Sequence, residues 1–224
     1  MIAMMRRSSY AGSPNIGVFA VANERLSFVA HDAVDEFVND IERILDVEVI
    51  RTTVADSFVV GSLMAMNSNG AIVSGLAGER ELELISSKIP VALLEDKLNA
   101  AGNNILVNDK GAIVNPEVDK KTLKQIEDVL GVECVKGTIA DIVTVGSVCR
   151  ATNKGAAIYV DATEEDIKLV KDVLKVDNVV RTTVNHGLRF VSPGIVANSK
   201  GAVVGDLSTP IEMGKIEDAL DLLD

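Results

Sequence analysis

The stretch Gly102-Asn103-Asn104-Ile105-Leu106-Val107-Asn108-Asp109-Lys110-Gly111-Ala112-Ile113-Val114 sets a polar tetrad, Asn108 to Gly111, between two short apolar runs. Polar residues ending in Gly, which reaches positive φ without steric cost, predict a tight turn, and the flanking runs predict a β-hairpin. A Gly followed nine residues later by another Gly recurs along the chain. Gly61 leads to Asn67-Ser68-Asn69-Gly70-Ala71, and Gly146 to Thr152-Asn153-Lys154-Gly155-Ala156. Ser192 takes the first Gly's place before Asn198-Ser199-Lys200-Gly201-Ala202. A fifth, degenerate copy lies in register 44 residues before the second: Arg51 falls on Arg7, Ala55 on Ala11, Gly61 on Gly17 and Asn67 on Asn23. Only its turn Gly is lost, to Leu26.

Beyond each hairpin, apolar residues return at helical spacing. They are Val34, Phe37, Val38, Ile41 and Leu45 in the first copy, Leu123, Ile126, Val129 and Leu130 in the third, and Ile167, Val170, Val173 and Leu174 in the fourth. Such stripes are core-facing helix faces. Thr163 with Asp166, and Thr209-Pro210-Ile211-Glu212, read as capped helix starts, and Leu130-Gly131 as a helix end. Strands follow at 47–50, 132–135 and 176–180. The predicted ββαβ units are 7–50, 51–91, 92–135, 136–180 and 181–224, in a single domain spanning 1–224, with 92–99 the most divergent segment. The last helix is expected at 211–223. The strand due after it has its sequence equivalent at Arg7 onward, so the N-terminal segment is expected to complete the fifth unit. That closes five blades around a pseudo-fivefold axis, strands inside and helices outside. Closure removes the edges and end faces that an open solenoid must cap, and no dedicated caps are evident.

With 47% hydrophobic residues among 224, the chain buries a substantial core, and aromatics at 3% make that core aliphatic. The net charge of −11 disfavours coating of a phosphate backbone, which argues against DNA and leaves only a local RNA contact. No apolar run reaches the roughly 18 residues of a spanning helix, and no signal peptide is evident, so a cytoplasmic, membrane-free protein is expected. Met1-Ile2-Ala3-Met4-Met5 can hold an alternative start.

Repeat symmetry gathers the segments at each unit's first Gly on one rim: Asn15 and Gly17, Gly61 and Ser62, Gly102 and Asn103, Gly146 and Ser147, Val191 and Ser192. Five such loops make a broad, shallow surface suited to a protein partner. The competing reading is that the glycines serve only tight strand entry near the axis. Arg7, Arg51, Lys136 and Arg181 also recur at one position. They either pair with carboxylates or form a basic ring able to approach a phosphate. Cys134 and Cys149 lie in apolar strand patterns and read as core residues. His31 reads as a cap-region or surface residue and His186 as a loop residue, and their spacing makes no metal set. No phosphate-loop motif is present, and no cofactor is expected.

Val60-Gly61-Ser62, Ala101-Gly102-Asn103, Leu106-Val107-Asn108-Asp109, Thr144-Val145-Gly146-Ser147, Asp128-Val129-Leu130-Gly131-Val132-Glu133 and Ala197-Asn198-Ser199-Lys200-Gly201-Ala202-Val203-Val204-Gly205 carry a resemblance to a known family. In that order, the sequence resembles archaeal translation initiation factor six, a family with the pentein α/β-propeller fold, along essentially its whole length. The resemblance implies a non-enzymatic, monomeric factor. It would bind the large (50S) ribosomal subunit at the face that meets the small (30S) one, prevent their association, and take part in large-subunit maturation. It implies contact with a ribosomal protein of that face, with a local rRNA contact close by, and it points to the loop of Asn103. Asn185-His186-Gly187-Leu188-Arg189-Phe190-Val191-Ser192-Pro193-Gly194 departs from the family's small-residue run and weakens the expectation for the fifth unit. Two other readings compete: a pentein enzyme acting on guanidino groups through a cysteine, and a protein-binding ring with some other partner.

Overall fold

The structure, a computed structural model, describes residues 4–95 and 97–222. The chain opens with strand β1 (Met5–Ser8), and five units of one plan follow. The first contains a one-turn helix α1 (Ile16–Phe19), strands β2 (Ala20–Ala22) and β3 (Leu26–Ala30), helix α2 (Asp35–Leu45) and strand β4 (Glu48–Thr52). The second repeats it with α3 (Val60–Leu63), β5 (Met64–Met66), β6 (Ala71–Ser74), α4 (Glu79–Ser86) and β7 (Val91–Leu94). The third has α5 (Ala101–Asn104), β8 (Ile105–Val107), β9 (Ala112–Val114), α6 (Lys120–Leu130) and β10 (Cys134–Lys136). The fourth has α7 (Val145–Val148), β11 (Cys149–Ala151), β12 (Gly155–Ile158), α8 (Glu164–Leu174) and β13 (Asn178–Arg181). The fifth has a 3-10 turn (Ser192–Gly194), β14 (Ile195–Asn198), β15 (Gly201–Gly205) and α9 (Pro210–Ala219).

Each unit builds a three-stranded sheet in which the hairpin is antiparallel and the strand after the helix runs parallel to the middle strand. In the fifth sheet β1 takes that last place, with Met5 opposite Ala202 and Ser8 opposite Gly205. β1 therefore holds in the fifth sheet the place that β4 holds in the first, as its sequence equivalence to Arg51-Thr52-Thr53 predicts. The first hairpin strands touch in succession: β2 meets β5, β5 meets β8, β8 meets β11, β11 meets β14 and β14 meets β2.

The core is divided into wedges between neighbouring sheets, each filled by one long helix. Phe37, Ile41 and Leu45 of α2 pack with Val29 of the first sheet and Val196 and Val203 of the fifth. Ile126 and Leu130 of α6 pack in the same way with Ile72 and Val114. The expected caps form: Thr163 and Thr209 accept the Asp166 and Glu212 N–H groups, and Gly131 ends α6 at φ 62°. Val34 leaves the predicted stripe, since it precedes the first turn of α2 and is 56% exposed. Of the predicted last helix, Leu223 lies outside the described residues, as do Met1 to Ala3 at the other end.

The hairpin glycines are present for a different reason from the predicted one. None of Gly70, Gly111, Gly155 and Gly201 has positive φ. The turn is shaped instead by the side chain of its first residue: Asn67 Oδ1 accepts from the Asn69 and Gly70 N–H groups, and Asn108 and Asn198 do the same. The glycine is required because the next unit's helix ends against it. A Cβ on Gly111 would lie 2.1 Å from Val173 O, and one on Gly155 2.1 Å from Ala219 O. Leu26 is tolerated in the first unit because α4, at 8 residues against 10 or 11 for the other long helices, is the shortest of them. Ile85 and Ile89 there share a cluster with Leu26.

Candidate functional site

All middle strands run toward the same end of the sheets, and that end carries the helix N-termini, the one-turn helices and the turns leading into them. The predicted rim residues lie there, on one-turn helices rather than on open loops. The glycines seat each turn on the one before. A Cβ on Gly17 would lie 2.2 Å from Ser192 O, one on Gly61 2.1 Å from Gly17 O, one on Gly102 2.0 Å from Gly61 O, and one on Gly146 2.1 Å from Gly102 O. Gly17, Gly61, Gly146, Val191 and Ser192 are buried, so they position the rim and offer no side-chain surface. Asn15, Ser62, Gly102, Asn103 and Ser147 are part-exposed.

Four tight turns stand beside these helices, and their central residues have left-handed backbone: Ala11 and Gly12, Ala55 and Asp56, Ala140 and Asp141, and Asn185 to Gly187. Such conformations in non-glycine residues store strain and persist only where neighbours hold them. In three units the holder is the carboxylate at the third position of the long helix. Glu81 accepts from the Ala55 and Asp56 N–H groups and the Thr53 hydroxyl. Asp166 accepts from Ala140 N–H. Glu212 accepts from the His186 and Gly187 N–H groups at 3.1 and 2.8 Å and from the Thr183 hydroxyl at 2.7 Å. Burial alone would raise the Glu212 carboxyl, but the donated bonds outweigh it and bring it down to about 2. Phe37 occupies that helix position in the first unit, where Tyr10 stacks on Phe19, meets Phe37 edge-on and donates to Asp32. In the fifth unit the bridge closing the turn spans Val184 and Leu188, one residue more than Val54 and Ser57. That longer turn accompanies the 3-10 geometry at Pro193, and Phe190 packs edge-on against Tyr159.

The opposite end is sealed by its own polar groups. Asn23 Nδ2 donates to Asn67 O, Asn67 Nδ2 to Asn108 O, Asn108 Nδ2 to Thr152 O, and Asn198 Nδ2 to Asn23 O. Asn67, Asn108 and Asn198 also donate to carbonyls at helix C-termini: Leu130, Leu174 and Leu45. Above them Asn153 Nδ2 bridges Asp109 and Glu24, at 2.7 and 3.3 Å. Sequence reading saw these residues only as turn formers, because the partner of each lies 41 to 175 positions away.

Residues 5–219 match the eIF-6 family. The chain belongs to the eIF-6 family. It is 39% identical over 219 residues to translation initiation factor 6 of Picrophilus torridus, covering 97% of this chain and 100% of that protein. The namesake protein of Thermoplasma acidophilum is also 39% identical, over 220 residues, with 97% and 100% covered. That of Methanocaldococcus jannaschii is 36% identical over 229 residues, with 99% and 100% covered.

In this eIF-6 family chain the recurrent basic residues are mostly engaged. Arg51 pairs with Asp35 at 2.5 Å and Arg181 with Glu164 at 2.9 Å, and Lys136 donates to the carbonyls of Pro116 and Val118. Arg7 makes no ion pair among the described residues: Pro210 stands where α2 and α8 begin with Asp35 and Glu164. The thiols are built as core. Burial pushes Cys134 and Cys149 up to about 12, opposite to the depressed value a nucleophile needs. His31 and His186 are exposed on turns. Among the described residues no cluster could hold a metal ion, and no helix is long and apolar enough to cross a membrane. Native protein at pH 8 is expected to leave both cysteines unmodified by a disulfide reagent for hours, and to release two equivalents at once in denaturant. Rapid native labelling of either would contradict the buried placement.

Proposed function

We propose that the chain is a translation initiation factor that binds the large (50S) ribosomal subunit and keeps it from joining the small (30S) subunit by steric bulk, without chemistry of its own. The observation that carries this reading is membership of the eIF-6 family across residues 5–219. A chemically distinct end supports it. Six exposed large apolar residues lie at the helix-N-terminal end, on the turns or first helical positions there: Val34, Phe58, Leu76, Phe190, Leu207 and Ile211. Apolar anchors beside part-exposed Asn15, Ser62, Asn103 and Ser147 form the mixed surface a protein partner uses, whereas the opposite end spends its polar groups on itself. The partner in this reading is mainly a ribosomal protein of the subunit-joining face. A local rRNA contact is restricted to cations such as Arg7 that have no ion pair among the described residues.

The same reading takes the five sheets as one closed propeller of pentein type, a single domain over 1–224 acting as a monomer in the cytoplasm, with a further part in large-subunit maturation. The succession of contacts from β2 round to β14 and the pairing of β1 with β15 support closure.

Sedimentation of mixed subunits tests the function. Saturating protein is expected to abolish the joined-subunit peak, and undiminished joining would sink the proposal. Asn103→Arg with Ser62→Arg tests the face. The pair is expected to weaken large-subunit binding by about tenfold or more, since a desolvated interface loses at least 1.4 kcal/mol to an unmatched charge. Unchanged binding would move the interface elsewhere.

A further inference from the structure

The middle residue of each first hairpin strand is Val21, Ala65, Leu106, Arg150 and Val196 in the five units. Four are apolar, and the fourth unit alone places a charge at this position. The substitution is accommodated sterically. Opposite Val21, Ala65, Leu106 and Val196 across the hairpin stand Phe28, Ile72, Ile113 and Val203, while opposite Arg150 stands Ala157. The small partner leaves room for the long side chain.

Arg150 is not matched electrically. It has no carboxylate within ion-pair distance among the described residues. Its one hydrogen bond runs from Nη2 to Ser192 O at 3.4 Å, and its Nε is sealed from solvent with no acceptor. The side chain lines a small, partly open cavity among the first hairpin strands, with Ala22, Met66, Val107, Ala151 and Ala197 as neighbours in the wall and Gly61, Gly102 and Gly146 toward the rim. Burial lowers the guanidinium to about 10, which leaves it charged at neutral pH. Arg150 is part-buried, with its Nε cut off from both solvent and acceptor. A cation so placed without a counter-charge is unfavourable, and arginine does not escape by losing its proton.

We infer that this cavity is an anion site, and that a single halide ion, chloride in the cell, sits against the Arg150 guanidinium. The size of the cavity selects the class. About 30 Å³ is open to a water-sized sphere. A water needs roughly 10–15 Å³ on that measure. The space therefore takes a monatomic ion or about two waters and excludes phosphate, carboxylic acids and nucleotides. The wall offers apolar side chains, from Ala22 to Met66 and Leu106, and strand backbone, so among the described residues the guanidinium provides the only full charge in it. The cap of Glu24, Asn153 and Asp109 borders a second, stacked cavity that shares Ala22, Met66, Val107, Ala151 and Ala197. Those carboxylates are held by Ser68, Asn153 and Ser199 donors and leave Arg150 uncompensated.

Thermal unfolding at constant ionic strength, with sodium gluconate replaced stepwise by sodium chloride, tests the site, because gluconate is too large to enter. The wild-type Tm is expected to rise by about 5 °C between 1 and 300 mM chloride, as for a ligand that binds only the folded chain. Arg150→Met, which keeps the length and removes the charge, is expected to show no chloride dependence. Equal responses in the two proteins, or none in the wild type, overturn the inference. Crystals of the wild-type protein grown in sodium bromide provide a reading that does not depend on the variant folding. An anomalous peak within hydrogen-bonding distance of the Arg150 guanidinium supports the site, and ordered water alone at that place overturns it.

Discussion

Gly102→Ala is expected to destabilise the protein by roughly 4 kcal/mol or more, enough to lower Tm by about 10 °C. The new Cβ would lie 2.0 Å from Gly61 O and 2.7 Å from Met64 O, and both obstacles are backbone. A flexible side chain could swing away. The one-turn helices α3 and α5 cannot, because Gly61 is itself seated on Gly17 and Gly146 on Gly102. Relief of one contact therefore tightens or opens the next. Gly214→Ala, in the exposed middle of α9 with nothing within 4 Å of its Cβ, is expected to raise stability by about 1 kcal/mol, the ordinary helix preference for alanine. Urea denaturation of the two variants separates the explanations. If both glycines were present only for backbone freedom, the substitutions would shift the midpoint by similar amounts. Opposite signs mean that Gly102 is there for space.

That contrast shows where the sequence was legible and where it was not. The repeat register, the hairpins, the capped helices at Thr163 and Thr209 and the place of β1 were readable, because each rests on local chemistry or on equivalence between copies. Leu26 could be identified as standing in a glycine's position from the 44-residue offset alone. The reason it is tolerated lies in the length of α4, one unit away. The hairpin glycines were assigned positive φ and have none, because what excludes a side chain there is a helix end belonging to the next unit. The rim residues were gathered on one end of the sheets, where the structure has them, but sequence spacing could not distinguish part-exposed Asn103 from buried Ser192. The carboxylates of Asp166 and Glu212 were visible only as helix caps, and Glu81 carried no reading of its own. Their second role, holding a strained turn 25 or 26 residues earlier, has no local signature. Arg150 gave no signal at all. A single charge in a three-residue strand is unremarkable until its neighbours prove to be apolar.

Glu212→Gln is expected to cost about 3 kcal/mol at pH 7, and that cost should vanish in acid. Glu212 is 5% exposed and accepts from Thr209, His186 and Gly187 N–H groups and from the Thr183 and Thr209 hydroxyls. An amide keeps the shape but turns one acceptor into a donor that faces other donors, which leaves buried groups unmet. The carboxyl is lowered on folding from 4.5 to about 2, so its contribution is fully present above pH 4.5 and is lost as pH falls toward 2. A displacement of that size corresponds to about 3 kcal/mol. The stability gap between wild type and variant, from urea unfolding at successive pH values, should therefore be constant from pH 7 to 5 and close between pH 4.5 and 2. A gap that persists at pH 2 would mean that packing, not charge, held the residue. The consequence reaches the proposed binding face. Glu212 holds His186 and Gly187 in left-handed backbone beside Asn185, and the Val184–Leu188 turn they form leads directly into Phe190 and the 3-10 turn at Ser192. Protonating one carboxyl should loosen that segment of the rim before the sheets themselves give way, so large-subunit affinity in the variant should fall at neutral pH while the repeat scaffold remains folded.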